Sequence, residues 1–113
     1  MKLEEGMYVR TNEGIFRISH INISFDDNDF RKILLTNNEK VNFTSVEYIR
    51  TLKSQPSFNI IDLIEEGDYV NGERVIKHFT TWLALGIAIV KEQDIKSIVT
   101  KEQFESMSYK VGD

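Results

Sequence analysis

The apolar residues of this chain come in short runs that alternate with polar ones and seldom recur at helical spacing. "MYVRT", "GIFRI", "RKILLT", "KVNF" and "LGIAIV" set branched or aromatic residues among polar punctuation, the pattern of short strands. The phrase "IEEGDYVNGERVIKH", residues 64–78, encodes a whole hairpin. Gly67 suits the bend into a strand, and Asn71-Gly72 supplies the two positive φ angles of a type I′ turn. Val70 precedes that turn, and Val75 and Ile76 leave it. Nearly the same phrase, "LEEGMYVRTNEGIFRI", occupies residues 3–18, with "RTNEG" as a longer turn and Gly14 at its left-handed position.

The two phrases begin a longer correspondence. "VEYIRT" (46–51) and "IKSIVT" (95–100) share branched residues at one spacing and both end on threonine. Each half then reads as strand, turn, strand, variable loop, strand pair, short turn and final strand. That is the order of a small SH3-like barrel, so the expected fold is mainly β with two tandem SH3-like units, residues 1–55 and 58–113. Pro56 marks the seam, because it keeps Gln55 out of helix.

Two short helices are expected beside the strands. One lies near 59–65, with Asn59 as N-cap, Asp62 in the first turn and Gly67 as the stop. The other lies near 100–107, where Thr100 and Gln103 have capping-box spacing and Phe104 and Met107 share a face. A unit of about 55 residues is marginal alone. "FTTWLALGIAIV" (79–90), read as buried core, carries more apolar surface than one tiny barrel can cover. Part of it, particularly Phe79, Trp82, Leu83 and Leu85, is therefore expected to pack on the first half or on a second copy of the chain.

Composition narrows the function classes. A chain of 113 residues makes one domain or two very small ones, and the absence of cysteine removes disulfides, thiolate nucleophiles and Cys-based metal sites. The net charge is −4 with acids and bases interleaved; Arg31-Lys32 is the densest basic point. Nucleic-acid backbones demand clustered Lys and Arg, so a nucleic-acid partner is the weaker expectation. The acidic "FDDNDF" (25–30) reads as a solvated loop. The run 79–90 falls short of the roughly 20 residues of a spanning helix, and the start lacks a secretory signal's basic and apolar regions.

Candidate chemistry is sparse. His20 and His78 each follow the returning strand of a hairpin, and no HxH, HExxH or HxxE spacing surrounds them. "DDND" lacks the glycine and terminal Glu of a calcium loop. No nucleophile elbow or phosphate-cradling glycine motif occurs. Glu4-Glu5 and Glu65-Glu66 read as solvated lead-ins to strands. The expectation is a protein without catalytic residues, metal or cofactor. Aromatics give the better hint: if Val9 and Val70 face a core, Tyr8 and Tyr69 face away from it. Tyr8, Tyr69 and Trp82 are thus the candidate binding residues, with packing between the halves as the competing role.

"NIIDLIEEGDYVNGERVIK" (59–77) followed by "IKSIVTKEQFESMSYKV" (95–111) resembles a group of short proteins encoded by phages and prophages of Gram-positive bacteria. The opening "MKLEEGMYVRTNEGIFRI" is similar to the start of that group. The resemblance leaves residues 22–42 and 79–94 as variable inserts and carries over no catalytic position. It implies a mobile-element product in the bacterial cytoplasm. The function expected on that basis is a binding module with a protein partner from host or phage, such as an inhibitor of an anti-phage defence protein. A nucleotide or nucleic-acid binder and a minor virion assembly component are the alternatives, and a homodimer is compatible with each.

Overall fold

The computed structural model describes residues 3–22, 32–37 and 40–107; the acidic stretch 25–30 and Arg31 lie outside the described residues. The alternating runs form strands. In the first half β1 (Tyr8–Thr11), β2 (Gly14–Asn22), β3 (Lys32–Thr36) and β4 (Val41–Ser45) make one antiparallel sheet in sequence order. In the second half β5 (Tyr69–Val70) and β6 (Glu73–Arg74) share a sheet with β10 (Ile98–Val99). A further sheet holds β7 (Lys77–His78), β8 (Trp82–Leu85) and β9 (Ala88–Lys91).

The repeat is real at the level of the opening hairpin. Gly6 and Gly67 have φ of 93° and 94°. Their N–H groups donate to Ile18 O at 2.8 Å and to Val75 O at 2.9 Å, and the next N–H, of Met7 or Asp68, donates to Glu4 O or Glu65 O. Ile18 N and Val75 N donate back to Met7 O and Asp68 O, both at 2.7 Å. Only glycine takes such positive φ without strain, which is why both phrases need it there.

Beyond that hairpin the expectation of two barrels needs correction: none of the three sheets is closed into a barrel. The strands β5, β6, β7 and β10 are two residues long, too short to carry a continuous ladder around a ring. Instead, the seam after the first half and the last strand of the second each return to an opening strand. Ser57 forms a bridge with Tyr8, and β10 pairs with β5.

Three local expectations also change. The first hairpin turns on Asn12-Glu13 alone, since Thr11 already pairs with Gly14 and its hydroxyl accepts from Glu13 N. "VEYIR" is not a strand but the helix α1 (Val46–Arg50), capped by the Ser45 side chain accepting from Tyr48 N. Val46 and Ile49 turn inward three residues apart, a helical period, so the likeness to "IKSIVT" ends at composition. The first expected helix is a single 3₁₀ turn, η1 (Ile60–Leu63), capped by Asn59.

Other expectations hold. Asn71 and Gly72 have φ of 54° and 81° between the pair Val70 and Glu73, the two-residue type I′ turn. Helix α2 (Lys101–Met107) starts on the reciprocal box: Thr100 N donates to Gln103 Oε1, and Gln103 N donates to Thr100 Oγ1. A second 3₁₀ turn, η2 (Glu92–Asp94), precedes β10.

Alternation sorts the core into two clusters. Val9, Phe16, Ile18, Ile33 and Leu35 pack with Met7 and Ile49 on one face of the first sheet. Ile61, Leu63, Ile64, Val70, Val75, Leu83, Leu85 and Val90 form the other cluster, and Ile15 of the first half belongs to it. Tyr8 packs against this second cluster as well. Strands β1 and β2 thus face their own core on one side and the second half on the other. The inter-half packing expected of the run 79–90 is made from the opposite direction, by Tyr8 and Ile15. Of that run, read as buried, only Leu83, Leu85 and Val90 are buried hydrophobics, while Ile87 and Ile89 are exposed.

Candidate functional site

Three places bring functional groups together: a buried charge cluster, a cleft between the halves, and the outer face of the β7–β8–β9 sheet.

Arg10 centres the first. It lies on β1 on the same side as Tyr8, the side that meets the second half, and it is 5 % exposed. Its guanidinium forks onto the fully buried Asp68, Nη1 to Oδ2 at 2.5 Å and Nη2 to Oδ1 at 2.8 Å. Nη1 also donates to Leu63 O and Nη2 to Glu102 Oε2. Its Nε lies 3.1 Å from Glu65 Oε2 as an ion pair, without hydrogen-bond geometry. Asp68 in turn accepts from Glu65 N and Lys101 N, so it fixes the Glu65–Asp68 turn and the start of α2. Burial is the largest single influence on Arg10 and opposes its charge. The hydrogen bonds to Asp68 and Glu102 and the charges of Asp68 and Glu65 outweigh it, and the pKa rises above its already high ordinary value. Lys101 Nζ closes the network on Glu65 at 2.9 Å, and that bond with the charge of Glu65 raises its pKa.

A guanidinium held by carboxylates and a carbonyl does not exchange a proton, and its one unbonded donor, Nε, is buried beside Glu65, so the cluster's evident task is to join the halves. The sequence offers Arg10 only as one of four arginines, with Arg17, Arg50 and Arg74, that a basic groove would have to cluster, and it gives Asp68 no role. A signal was present: the two copies of the phrase differ just after the glycine (Met7 against Asp68) and three residues later (Arg10 against Asn71), which puts opposite charges on opposite copies. Asn71 has its own task, its amide bonding Asp94 O, Lys96 N and Ser97 N across the hairpin tip.

The three aromatic candidates are each placed differently. Tyr8 is half-buried between the halves and lines a cleft of about 400 Å³. Tyr69 is half-buried against α2, its ring stacked on Phe104 with centroids 4.7 Å apart. Trp82 stacks on Phe79 at 3.9 Å where β7 turns into β8. No contact among the described residues joins the three into one site.

Trp82 does belong to a surface. Leu83 and Leu85 of β8 point into the core, so Trp82 and Ala84 point out. Cross-strand pairing sets Lys91 beside Trp82, and Ile89 and Lys77 on either side of Ala84. Phe79, Ile87 and Ile89 are 38 %, 106 % and 64 % exposed. The result is an aromatic and aliphatic strip bordered by two lysines. His78 sits on the same sheet but bonds Ile61 O through Nε2, and His20 bonds Ser19. Among the described residues no three His, Asp or Glu side chains form a metal-holding group, and no helix is long and apolar enough to cross a membrane.

The fold and these surfaces define a small, mainly β protein of open antiparallel sheets. Compared with protein-family models, curated proteins and solved structures, the chain matches none.

Proposed function

We propose that this chain is a non-catalytic binding module that acts by protein–protein contact through the outer face of β7, β8 and β9. The carrying observation is the strip of Phe79, Trp82, Ala84, Ile87 and Ile89, which lies on the side of the sheet opposite the buried Leu83, Leu85 and Val90. Soluble domains seldom leave a contiguous apolar strip on a sheet unless something covers it. A stacked Trp–Phe pair also suits an anchor, being large, rigid and low in entropy cost. Lys77 and Lys91 border the strip in a chain of net charge −4, so the fitting partner is a protein with apolar anchors ringed by acidic side chains.

In the context implied by the phage-like phrases, that partner is a host or anti-phage defence protein in the bacterial cytoplasm. The return of the seam and of β10 to the opening strands supports treating the halves as open relatives of the SH3-like unit. A polyanion groove has less support. Of the four arginines it would require, Arg10 is already paired with the buried Asp68, while Arg17, Arg50 and Arg74 lie on three different elements, β2, α1 and β6.

The test is recovery of a partner from lysogenic cells, followed by reconstitution from purified components with the full chain and with Ile89→Asp. Binding by the wild-type chain that is weakened at least tenfold by Ile89→Asp, with the fold intact by circular dichroism, is the expected result (about 1.4 kcal/mol). A partner held equally well by Ile89→Asp and by Trp82→Ala refutes the assignment of this face. Concentration-dependent dimerisation abolished by the same variants would identify the partner as a second copy and displace the host-protein reading.

A further inference from the structure

A second surface has different chemistry and is independent of the strip. The first sheet presents a straight cross-strand row, Tyr8 on β1, Arg17 on β2 and Thr36 on β3, as direct neighbours in register. This row forms one wall of the cleft of about 400 Å³ between the halves. Ile60 and the segment 95–99 of the second half form the opposite wall, with Ile95 and Ile98 supplying its apolar surface and Lys96 its charge.

Two features make this cleft a candidate ligand site. Its size falls in the range of small-molecule pockets, and apolar walls with a few convergent polar groups are their usual make-up. Its charged lining residues, Arg17 and Lys96, are both cations, although acids outnumber bases in the chain by 18 to 14. Arg17 makes no ion pair with a described residue.

We infer that the inter-half cleft binds a small molecule made of one planar ring and one anionic group, with the ring on Tyr8 between the isoleucine side chains and the anion on Arg17. Planarity follows from the lining: tyrosine and isoleucine side chains share the cleft, and stacking on tyrosine rewards a flat ring. A planar guanidinium matches a carboxylate or a phosphate by bidentate hydrogen bonds, so the anion is one of these. Protein docking on the β7–β8–β9 strip neither requires this site nor follows from it.

The experiment is an amide-resolved NMR titration of the full chain with four probes: adenosine 5′-monophosphate, indole-3-carboxylate, adenosine and inorganic phosphate. One of the two ring-bearing anions is expected to move the amides of Tyr8, Arg17, Thr36 and Ser97 as a set and to saturate below about 1 mM. Saturation by the nucleotide assigns the anion to a phosphate, and saturation by the indole acid to a carboxylate. Arg17→Gln, on an exposed strand position, is expected to weaken that binding about tenfold while leaving the thermal midpoint unchanged. Tyr8→Phe, which keeps the ring, should weaken it by less. The inference is overturned by silence of both ring-bearing anions, by equal shifts from adenosine or phosphate alone, or by undiminished binding to Arg17→Gln.

Discussion

Replacing Arg10 by methionine tests how the two halves are held together. The substitution keeps an unbranched side chain of similar reach and deletes the guanidinium. Asp68, fully buried, is then left with two backbone donors, Glu65 N and Lys101 N, and no bonded cation. Stripping one partner from a buried ion pair costs about 3–5 kcal/mol, because the remaining charge has neither water nor a counter-ion. Leu63 O also loses its side-chain donor, a smaller loss of the order of 1 kcal/mol. Glu65 and Glu102 contribute little, since their side chains are 44 % and 37 % exposed and can turn to solvent. Most of the destabilisation therefore comes from stranding the Asp68 carboxylate. Set against a total stability of about 5–15 kcal/mol for a chain of this size, the variant loses a quarter or more.

Urea unfolding followed by far-ultraviolet circular dichroism and by the fluorescence of Trp82, the single tryptophan, measures this loss in both halves at once. With a slope of about 2 kcal/mol per molar urea, the midpoint should fall by roughly 2 M. A mutant cycle isolates the pair. Asp68→Asn removes the buried negative charge but keeps an acceptor. Arg10→Met should therefore cost at least about 2 kcal/mol less in a chain that already carries Asp68→Asn than in the wild type. Additivity within about 0.5 kcal/mol, or a loss below about 1 kcal/mol for Arg10→Met alone, refutes the reasoning.

Other consequences follow from the same contacts. Asn71→Ala should cost more than Asn71→Gly by about 1 kcal/mol in thermal or chemical denaturation; both lose the bonds to Asp94, Lys96 and Ser97, but only alanine adds strain at φ 54°. Equal losses would mean that the turn conformation contributes nothing. Because Lys101 has its pKa raised above 10.5 by Glu65, its contribution is fully present below that pH and lost as pH rises through the folded value. The difference in stability between wild type and Lys101→Gln should thus be flat from neutral pH upward and shrink above about pH 10.5, and it should weaken in high salt. Residues 58–113 expressed alone should fail to unfold cooperatively, since Ile15 leaves their core and Asp68 loses Arg10; a sharp, reversible transition would contradict this.

The parts of the fold readable in the sequence were those written in local rules. Asn71-Gly72 specified its turn because φ is a property of those residues, and Thr100 with Gln103 specified a helix start because the box closes within three positions. The misread parts depended on context. "VEYIR" is rich in branched residues, yet the Ser45 cap made it a helix. "FTTWLALGIAIV" looked uniformly apolar, and only pairing with β7 and β9 decided that Leu83 and Leu85 go in while Phe79 and Ile89 stay out. The tyrosines were correctly placed away from the valines, but whether that meant solvent or the other half was a tertiary question. Arg10 and Asp68 lie 58 positions apart, beyond the reach of any spacing rule.

The divergence between the two copies explains why they cannot be exchanged. A hairpin duplicated without change would present the same residues on both copies, and the contact between halves would be symmetrical and open to pairing with other chains. Here the first copy keeps Met7 in its own core and sends out Arg10, while the second buries Asp68 where Met7 would be and ends its strand at Asn71. A second chain offering its first half finds Asp68 already occupied; one offering its second half presents Asn71 at the position of Arg10. The charge pair thus makes the intramolecular docking directional, and it joins segments whose ends include both walls of the cleft. Tyr8 and Arg17 line the cleft together with Ile95 and Ile98, and Arg10, two residues from Tyr8, is bonded to Asp68, the residue before the strand that β10 pairs with. The exposed strip on β7, β8 and β9 contributes no residue to this charge pair, so the joint and the strip can vary separately.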